Sequence, residues 1–306
     1  MNQDQKVSEI LERSKKNRKK KLSPGYFYIS PWFIFFAVFS LFPIVLSLYM
    51  SFTDWPIIGD PVWVGLENYK GLLSDEKFIN SLWVTIRYGL ISVPLTMAAS
   101  FTVALVLNAN IKGISFYRTI YYLPAVVSGV AVGVIWRWIL DPRNGLVNNL
   151  LAIIGVEGPM WLNDPNWVLP SYLMIAIWGA GGGMLTYLVA LKEVPKDLYE
   201  SAELQGAGYF TKLFRITLPT MKPILYYNLV MGIIGAFKKF TDAYILGGAG
   251  SEAQYVMLYL YETAFKNFKM GYASAMSWIL LIIILLTTLL VLRFTDFWKY
   301  SQKNVE

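Results

Sequence analysis

Few residues in this chain are equipped for covalent chemistry. Its 306 residues contain no His and no Cys. Thiol catalysis, disulfides, Cys/His zinc sites, haem and His-based proton relays are therefore excluded. No Gly-x-x-x-x-Gly-Lys-[Ser/Thr] loop occurs, so no nucleotide site is legible. No carboxylate pair stands out for acid–base work. Two groups of polar residues remain. One is the run Pro195–Pro219, PKDLYESAELQGAGYFTKLFRITLP. The other is a set of charges inside otherwise apolar stretches: Lys238, Lys239 and Asp242, with Arg87 and Arg137.

The Pro195–Pro219 run is the longest polar segment between two long apolar runs. Asp197 and Glu200 have the spacing of an N-cap acid and an acid three residues on. Leu198 and Ala202 share a face at i, i+4. Gly206 and Gly208 permit a sharp turn after Gln205. A second short helix is predicted from Tyr209 to Ile216, with Phe210, Leu213 and Phe214 on one side and Lys212 and Arg215 on the other. Pro219 is expected to end it. On shape alone the segment reads as two short helices with a glycine elbow at a membrane face, or as an ordinary amphipathic interfacial loop.

The elements that hold these residues are apolar. The chain is 56% hydrophobic with eleven Trp, too apolar for an ordinary soluble domain. About twenty residues cross a bilayer core as helix. Six such spans are predicted near Pro31–Phe52, Ile79–Leu107, Arg118–Leu140, Trp167–Leu191, Pro223–Leu246 and Ala273–Phe294, giving an all-α polytopic membrane bundle. A small apolar piece, Leu146–Ile154, is expected along the surface. Residues 1–25 form a basic tail, 26–298 the membrane domain with its 195–219 segment, and 299–306 a short tail. The first apolar run is too long for a signal-peptide core and no A-x-A site closes it, so it reads as a retained span.

Charge sets the orientation. Eighteen of the 27 Lys and Arg fall in the two tails, the short turn around Lys112 and Arg118, and the 195–219 segment with its flanks; five fall in the other loops. That asymmetry puts both ends and the polar segment in the cytoplasm. It also explains the net charge of +7 without nucleic acid; a basic tail beside a span orients it or touches anionic lipid.

The order Glu200-Ser201-Ala202, then Gly206, then Ile216-Thr217-Leu218-Pro219 resembles the cytoplasmic signature of bacterial ABC-importer permeases. That signature reads EAA, three residues, Gly, nine residues, I-x-L-P, here with Ser201 in place of Ala. Phe116-Tyr117-Arg118-Thr119 with Leu123-Pro124 looks like the third-span start of sugar-importer permeases, as does Ile135-Trp136-Arg137-Trp138 followed by Asn144-Gly145. Gly271-Tyr272-Ala273-Ser274-Ala275 resembles the start of their last span. The similarity covers roughly Pro31 to Phe294 and is greatest to the maltose-type branch, which carries oligosaccharides, glycerol-phosphodiesters and related solutes.

The resemblance implies the type I permease fold and a coupling role for Glu200, Ser201, Ala202, Gly206, Ile216, Leu218 and Pro219. It implies a second homologous permease, two ATPase subunits that carry ATP and Mg, an extracytoplasmic solute-binding protein, and no cofactor or catalysis in this chain. The setting would be the bacterial cytoplasmic membrane. An ion-coupled secondary carrier is the alternative, though such carriers place acids mid-span and few stand there. A membrane-embedded enzyme ranks third.

Candidates for the solute path lie in spans four and five. Lys238 and Lys239 either snorkel outward or pair with Asp242, or one of them lines the path and favours an acidic sugar or a phosphorylated solute. The run Gly179-Ala180-Gly181-Gly182-Gly183 reads as close helix packing or as an unwound stretch beside a cavity. By the resemblance, Ala176, Gly179, Gly183, Gly232, Gly235 and Ala236 fall where the maltose-type permease holds its sugar. They are small where the relative is polar or aromatic, which implies a wider passage or a site borne mostly by the partner permease. Trp178, Tyr187, Asn228 and Tyr244 are the polar and aromatic candidates nearby, with belt or packing roles as the alternative.

Overall fold

The computed structural model describes residues 24–56, 59–109 and 112–294. The predicted tails, apart from residues 24 and 25, lie outside them. The chain divides into two units, 1–50 and 51–306.

In the first unit, helix α1 (Pro24–Phe36) passes through a π-helical turn, Ala37–Leu41, into α2 (Phe42–Ser51). This helix begins before the expected Pro31. It is apolar all round, and the large side chains from Trp32 to Phe42 are exposed, as suits a lipid-facing crossing. The π turn has a local cause. Proline at 43 has no N–H, and its ring would press on a carbonyl in the preceding turn. Widening that turn, so that the Phe42 N–H reaches Ala37 O, carries the helix past it.

The second unit opens with a small antiparallel pair, β1 (Thr53–Asp54) and β2 (Val62–Trp63), registered Thr53 to Trp63. Helices α3 (Glu67–Ser74) and α4 (Glu76–Leu107) follow. Span two thus starts earlier than Ile79, because Asp75 caps it. Its Oδ1 accepts from the N–H groups of Lys77 and Phe78 at 2.9 and 3.1 Å. Its Oδ2 accepts the hydroxyls of Tyr259 and Tyr272 at 2.8 and 2.9 Å. Burial pushes the Asp75 pKa up, but these four donors outweigh it and hold the carboxyl below its ordinary value. At its other end α4 is closed by Arg118, whose Nη2 donates to Leu107 O at 2.8 Å.

Next come α5 (Ile114–Val126), α6 (Gly129–Ile139), α7 (Leu146–Ile153), α8 (Pro165–Trp178), α9 (Gly181–Glu193), α10 (Lys196–Leu204), α11 (Tyr209–Lys212), α12 (Leu218–Thr220), α13 (Lys222–Phe237), α14 (Thr241–Leu246), α15 (Val256–Tyr261) and α16 (Met270–Phe294). Among the described residues, three helices are long and apolar enough to cross a membrane: Tyr28–Ser51, Glu76–Leu107 and Met270–Arg293. Two bent helix pairs are long and apolar enough to cross if each counts as one span. Span three turns by 97° between α5 and α6, at the extended residues Val127 and Ser128. Span four bends by 45° between α8 and α9, at Gly179 and Ala180. The span expected over Pro223–Leu246 is also interrupted. Its helix α13 has 16 residues, and Lys238–Phe240 separate it from α14. None of these three spans is the single straight helix that its apolar run predicts.

Burial concentrates in three clusters. One gathers Tyr88, Tyr172 and Tyr255 with Trp136. A second joins the end of α4 and the length of α9 to Met221. A third packs the start of α4 and Phe237 against Ala275, Met276 and Leu280 of α16.

Candidate functional site

The hook, α10 to α12, is built by short-range rules. Helix α10 starts at Lys196 after Pro195, and no side chain caps it, so Asp197 lies in its first turn and is not the N-cap. The helix ends as a Schellman motif. Gly206 N–H donates to Glu203 O and Ala207 N–H to Ala202 O, both at 2.9 Å. This closure needs a left-handed residue, and Gly206 has φ +75°. Gly208 is extended and contributes no left-handed turn.

The second half runs further than expected. Tyr209–Lys212 continues through a π turn, Leu213–Thr217, and α12 passes Pro219 to Thr220. Leu218 N–H reaches Leu213 O, the same widening that precedes Pro43. Pro219 therefore shapes this helix and does not stop it; the chain breaks at Met221.

Two bonds tie the halves together. Lys212 Nζ lies 2.6 Å from Glu203 Oε1, and the Tyr199 and Thr217 hydroxyls lie 2.7 Å apart. Tyr199 and Ile216 pack against the cluster of Leu107, Leu191 and Met221, which seats the hook on α4, α9 and the start of α13. The other side is open. Leu204 is 91% exposed and Phe210 71%, with Tyr209 and Phe214 also exposed. Glu200 and Ser201 are exposed, while Ala202, Ile216, Leu218 and Pro219 are half-buried.

The second site is a groove between α4, α8–α9 and α13. One cavity of about 240 Å³ is lined by Thr96 and Ser100 from α4, by Ala176, Gly179, Gly183 and Tyr187, and by Asn228 and Gly232. A neighbouring one of about 180 Å³ shares Thr96 and Gly232 and adds Tyr88, Ser92, Gly235 and Lys239. Of the sequence candidates, Gly183, Tyr187, Asn228, Gly232, Gly235 and Lys239 line this groove. Trp178, Gly182 and Lys238 line neither cavity. Trp178 meets Trp136 edge-on at 5.8 Å. A side chain at Gly182 would meet Ala125 at 3.3 Å. Lys238 is exposed. Tyr244 packs on Tyr261.

The glycine run serves both proposed purposes at different residues. Gly181 sits so near α5 that an added Cβ would stand 1.7 Å from Tyr121 O, which is close packing. Gly179 and Gly183 border the cavity. At the break Ala180 O accepts twice, from Gly183 N–H at 3.1 Å and from Ser100 Oγ at 2.6 Å, which ties α4 to the bend. Gly232 packs on Val93, where a Cβ would approach to 2.8 Å.

Lys239 resolves its two alternatives by doing both. Its Nζ contacts Asp242 Oδ2 at 2.6 Å and still lines the cavity. Arg87 pairs with Glu252, and Arg137 donates to Ile245 O at 3.3 Å.

Sequence reasoning missed one wall. Tyr88, Ser92, Thr96 and Ser100 stand four residues apart on α4 and form a ladder of hydroxyls into the groove. The spacing was readable as i, i+4 in an apolar helix. Thr96 donates to Ser92 O at 2.7 Å, which leaves its oxygen free to accept. The Tyr187 hydroxyl is buried without a hydrogen-bond partner among the described residues.

Apolar crossings around a hydroxyl-lined groove, with an ordered polar hook between two of them, define the membrane-spanning part of a transporter. The profile of the family described as "Binding-protein-dependent transport system inner membrane component" matches residues 96–298, and the chain belongs to that family. It is 38% identical over 306 residues to the probable ABC transporter permease protein YesP of Bacillus subtilis (strain 168), covering 98% of each chain. It is 32% identical over 286 residues to the arabinooligosaccharides transport system permease protein AraP of the same organism, covering 92% of this chain and 90% of the relative. A solved bacterial ABC transporter involved in the import of the acidic polysaccharide alginate has a chain of the same fold. The TM-score is 0.81 at 26% identity, with 93% of this chain and 98% of that chain covered. The chain is thus a transporter permease, not a catalytic subunit, and the ion-coupled carrier is not favoured.

Proposed function

We propose that this chain is one of two permeases in an ATP-driven importer of a sugar or oligosaccharide. An extracytoplasmic binding protein delivers the solute, and two ATPase subunits beneath the membrane carry ATP and Mg. Both termini are cytoplasmic, with the basic tail, the 26–298 membrane domain and the short final tail as its parts. The observation that carries the reading is the exposed apolar side of a braced hook: Leu204, Phe210 and Phe214 face outward on a segment whose other side is seated on α9 and α13. An exposed apolar patch on an ordered element is the mark of a partner surface.

The same two helices wall the groove, through Gly183 and Tyr187 on α9 and Asn228 and Gly232 on α13. ATPase closure moves Glu200–Leu218 as a rigid body, and the seating at Tyr199 and Ile216 passes that motion to both walls. The hook's contacts must differ between the two ATPase states, since a partner that touches both states equally shifts nothing. Each cavity is smaller than the roughly 300–1,000 Å³ of an ordinary small-molecule pocket. A second permease that completes the path accounts for that. The hydroxyl ladder, Asn228 and Tyr187 supply neutral donors and acceptors suited to sugar hydroxyls.

The test is energetic. In vesicles holding the assembled complex and its binding protein, uptake persists when ion gradients are collapsed and stops when ATP is withheld. Uptake that follows the ion gradient and ignores ATP contradicts the proposal.

A further inference from the structure

Formal charge is scarce along the groove. Among the described residues that line the two cavities, Lys239 alone carries one. An ammonium inside a membrane bundle is costly and is ordinarily kept for a function. Neutral sugar hydroxyls do not need it; the Thr96 and Ser100 oxygens already offer them acceptors, and Tyr187 and Asn228 offer donors.

The surroundings of Lys239 are unequal. Its side chain is 9% exposed, and its Nζ lies over two rings, 4.7 Å from the centre of Tyr88 and 5.2 Å from that of Tyr172. Those faces attract the cation whether or not a carboxylate is present. Tyr172 is itself fixed, since its hydroxyl donates to Gly247 O at 2.9 Å. Asp242 is 30% exposed and stands in the first turn of α14, beyond the break at Lys238–Phe240. The lysine is the fixed partner, and the carboxylate is the one with water to withdraw into.

We propose that Lys239 selects the solute by charge and that Asp242 holds the place of a solute carboxylate. The imported compound is then a uronate-bearing oligosaccharide, whose carboxylate displaces Asp242 from the ammonium while its hydroxyls meet the α4 ladder. This rests on the groove being the solute path. A carboxylate fits better than a phosphate. The placeholder is a single-charge carboxylate, no second cation among the described residues lines either cavity, and neighbouring Arg87 is engaged by Glu252.

The experiment compares two probes of one skeleton, trigalacturonate and its full methyl ester, taken up by vesicles holding the assembled importer. The unaltered complex imports the acid in preference to the ester. Lys239→Gln lowers acid uptake by about ten- to a hundredfold, the loss of one charge-assisted hydrogen bond, and lowers ester uptake by much less, so that the ratio of acid to ester uptake falls. Lys239→Arg, which keeps the charge, keeps the preference and shows that the site still folds. Asp242→Asn preserves or raises the preference for the acid. Preference for the ester by the unaltered complex overturns the inference, and so does an equal loss of both probes in Lys239→Gln with Lys239→Arg intact. Failure of the importer reading would show differently, as uptake of acid and ester alike without regard to ATP.

Discussion

Within the hook, the bonds that set its shape join near neighbours: Gly206 to Glu203, Ala207 to Ala202, Lys212 to Glu203. In the groove the decisive contacts join distant parts of the chain: Ser100 to Ala180, Gly181 to Tyr121, Gly232 to Val93. The first region is a local structure whose outer side is left open. The second exists only when three spans pack. A change in the hook should therefore alter what the protein does while leaving it folded. A change at the seams of the groove should cost the fold itself.

The largest expected effect is at such a seam. Gly181→Ala puts a Cβ 1.7 Å from the Tyr121 carbonyl, and backbone cannot yield as a flexible side chain can. Overpacking of this kind costs about 3 kcal/mol or more. It should appear as loss of folded protein in size-exclusion and thermal-melt profiles of the detergent-solubilised protein. A normal melt would break the comparison.

Gly206→Val comes next. Nothing stands within 4 Å of an added Cβ there, so the penalty is conformational. It is about 1–2 kcal/mol for an L residue in the left-handed region, and more for a β-branched one. The complex should assemble and hydrolyse ATP, yet uptake per ATP should collapse. Gly206→Asn, which tolerates that conformation, should retain most coupling. Equal coupling in Val and Asn variants would remove the elbow's role.

The smallest effect is at the Lys212–Glu203 brace. Glu203 is 61% exposed, so Lys212→Ala should cost no more than about 1 kcal/mol. A slight loss of coupling with an unchanged melt sharpens the contrast; a large loss of stability would mean that the hook is less self-sufficient than its short-range bonds suggest.

The same contrast explains what was legible in the chain. Gly206 could be read from sequence because a helix stop is decided by a few adjacent residues. The apolar runs were readable for the same reason, and among the described residues three of the six expected spans are unbroken helices long enough to cross and two are bent pairs. The bends were not. Val127, Ser128 and Phe240 lie inside apolar runs long enough to read as continuous helix, and the local turn signal of Ser128-Gly129 is weak beside those runs. Pro219 misled because proline was weighed as a stop, whereas a π turn before it lets the helix pass, as another does before Pro43. In the groove, smallness at Gly179, Gly183 and Gly232 was visible, but which glycine packs and which borders space depends on Tyr121 and Val93, far away in the chain. The hydroxyl ladder on α4 gave no signal of its own, because Ser and Thr in an apolar helix ordinarily bond the carbonyl one turn back, as Thr96 does, and only packing against α9 and α13 turns them into a wall.

The central claim is that the hook meets a nucleotide-hydrolysing subunit. The chain has no native Cys, so a single Leu204→Cys gives one reactive thiol on it. In the assembled complex, a short bismaleimide should join position 204 to the ATPase subunit, with a yield that changes between ATP-bound and nucleotide-free states. A thiol that reacts freely with soluble maleimide in both states and never links to that subunit would contradict the account.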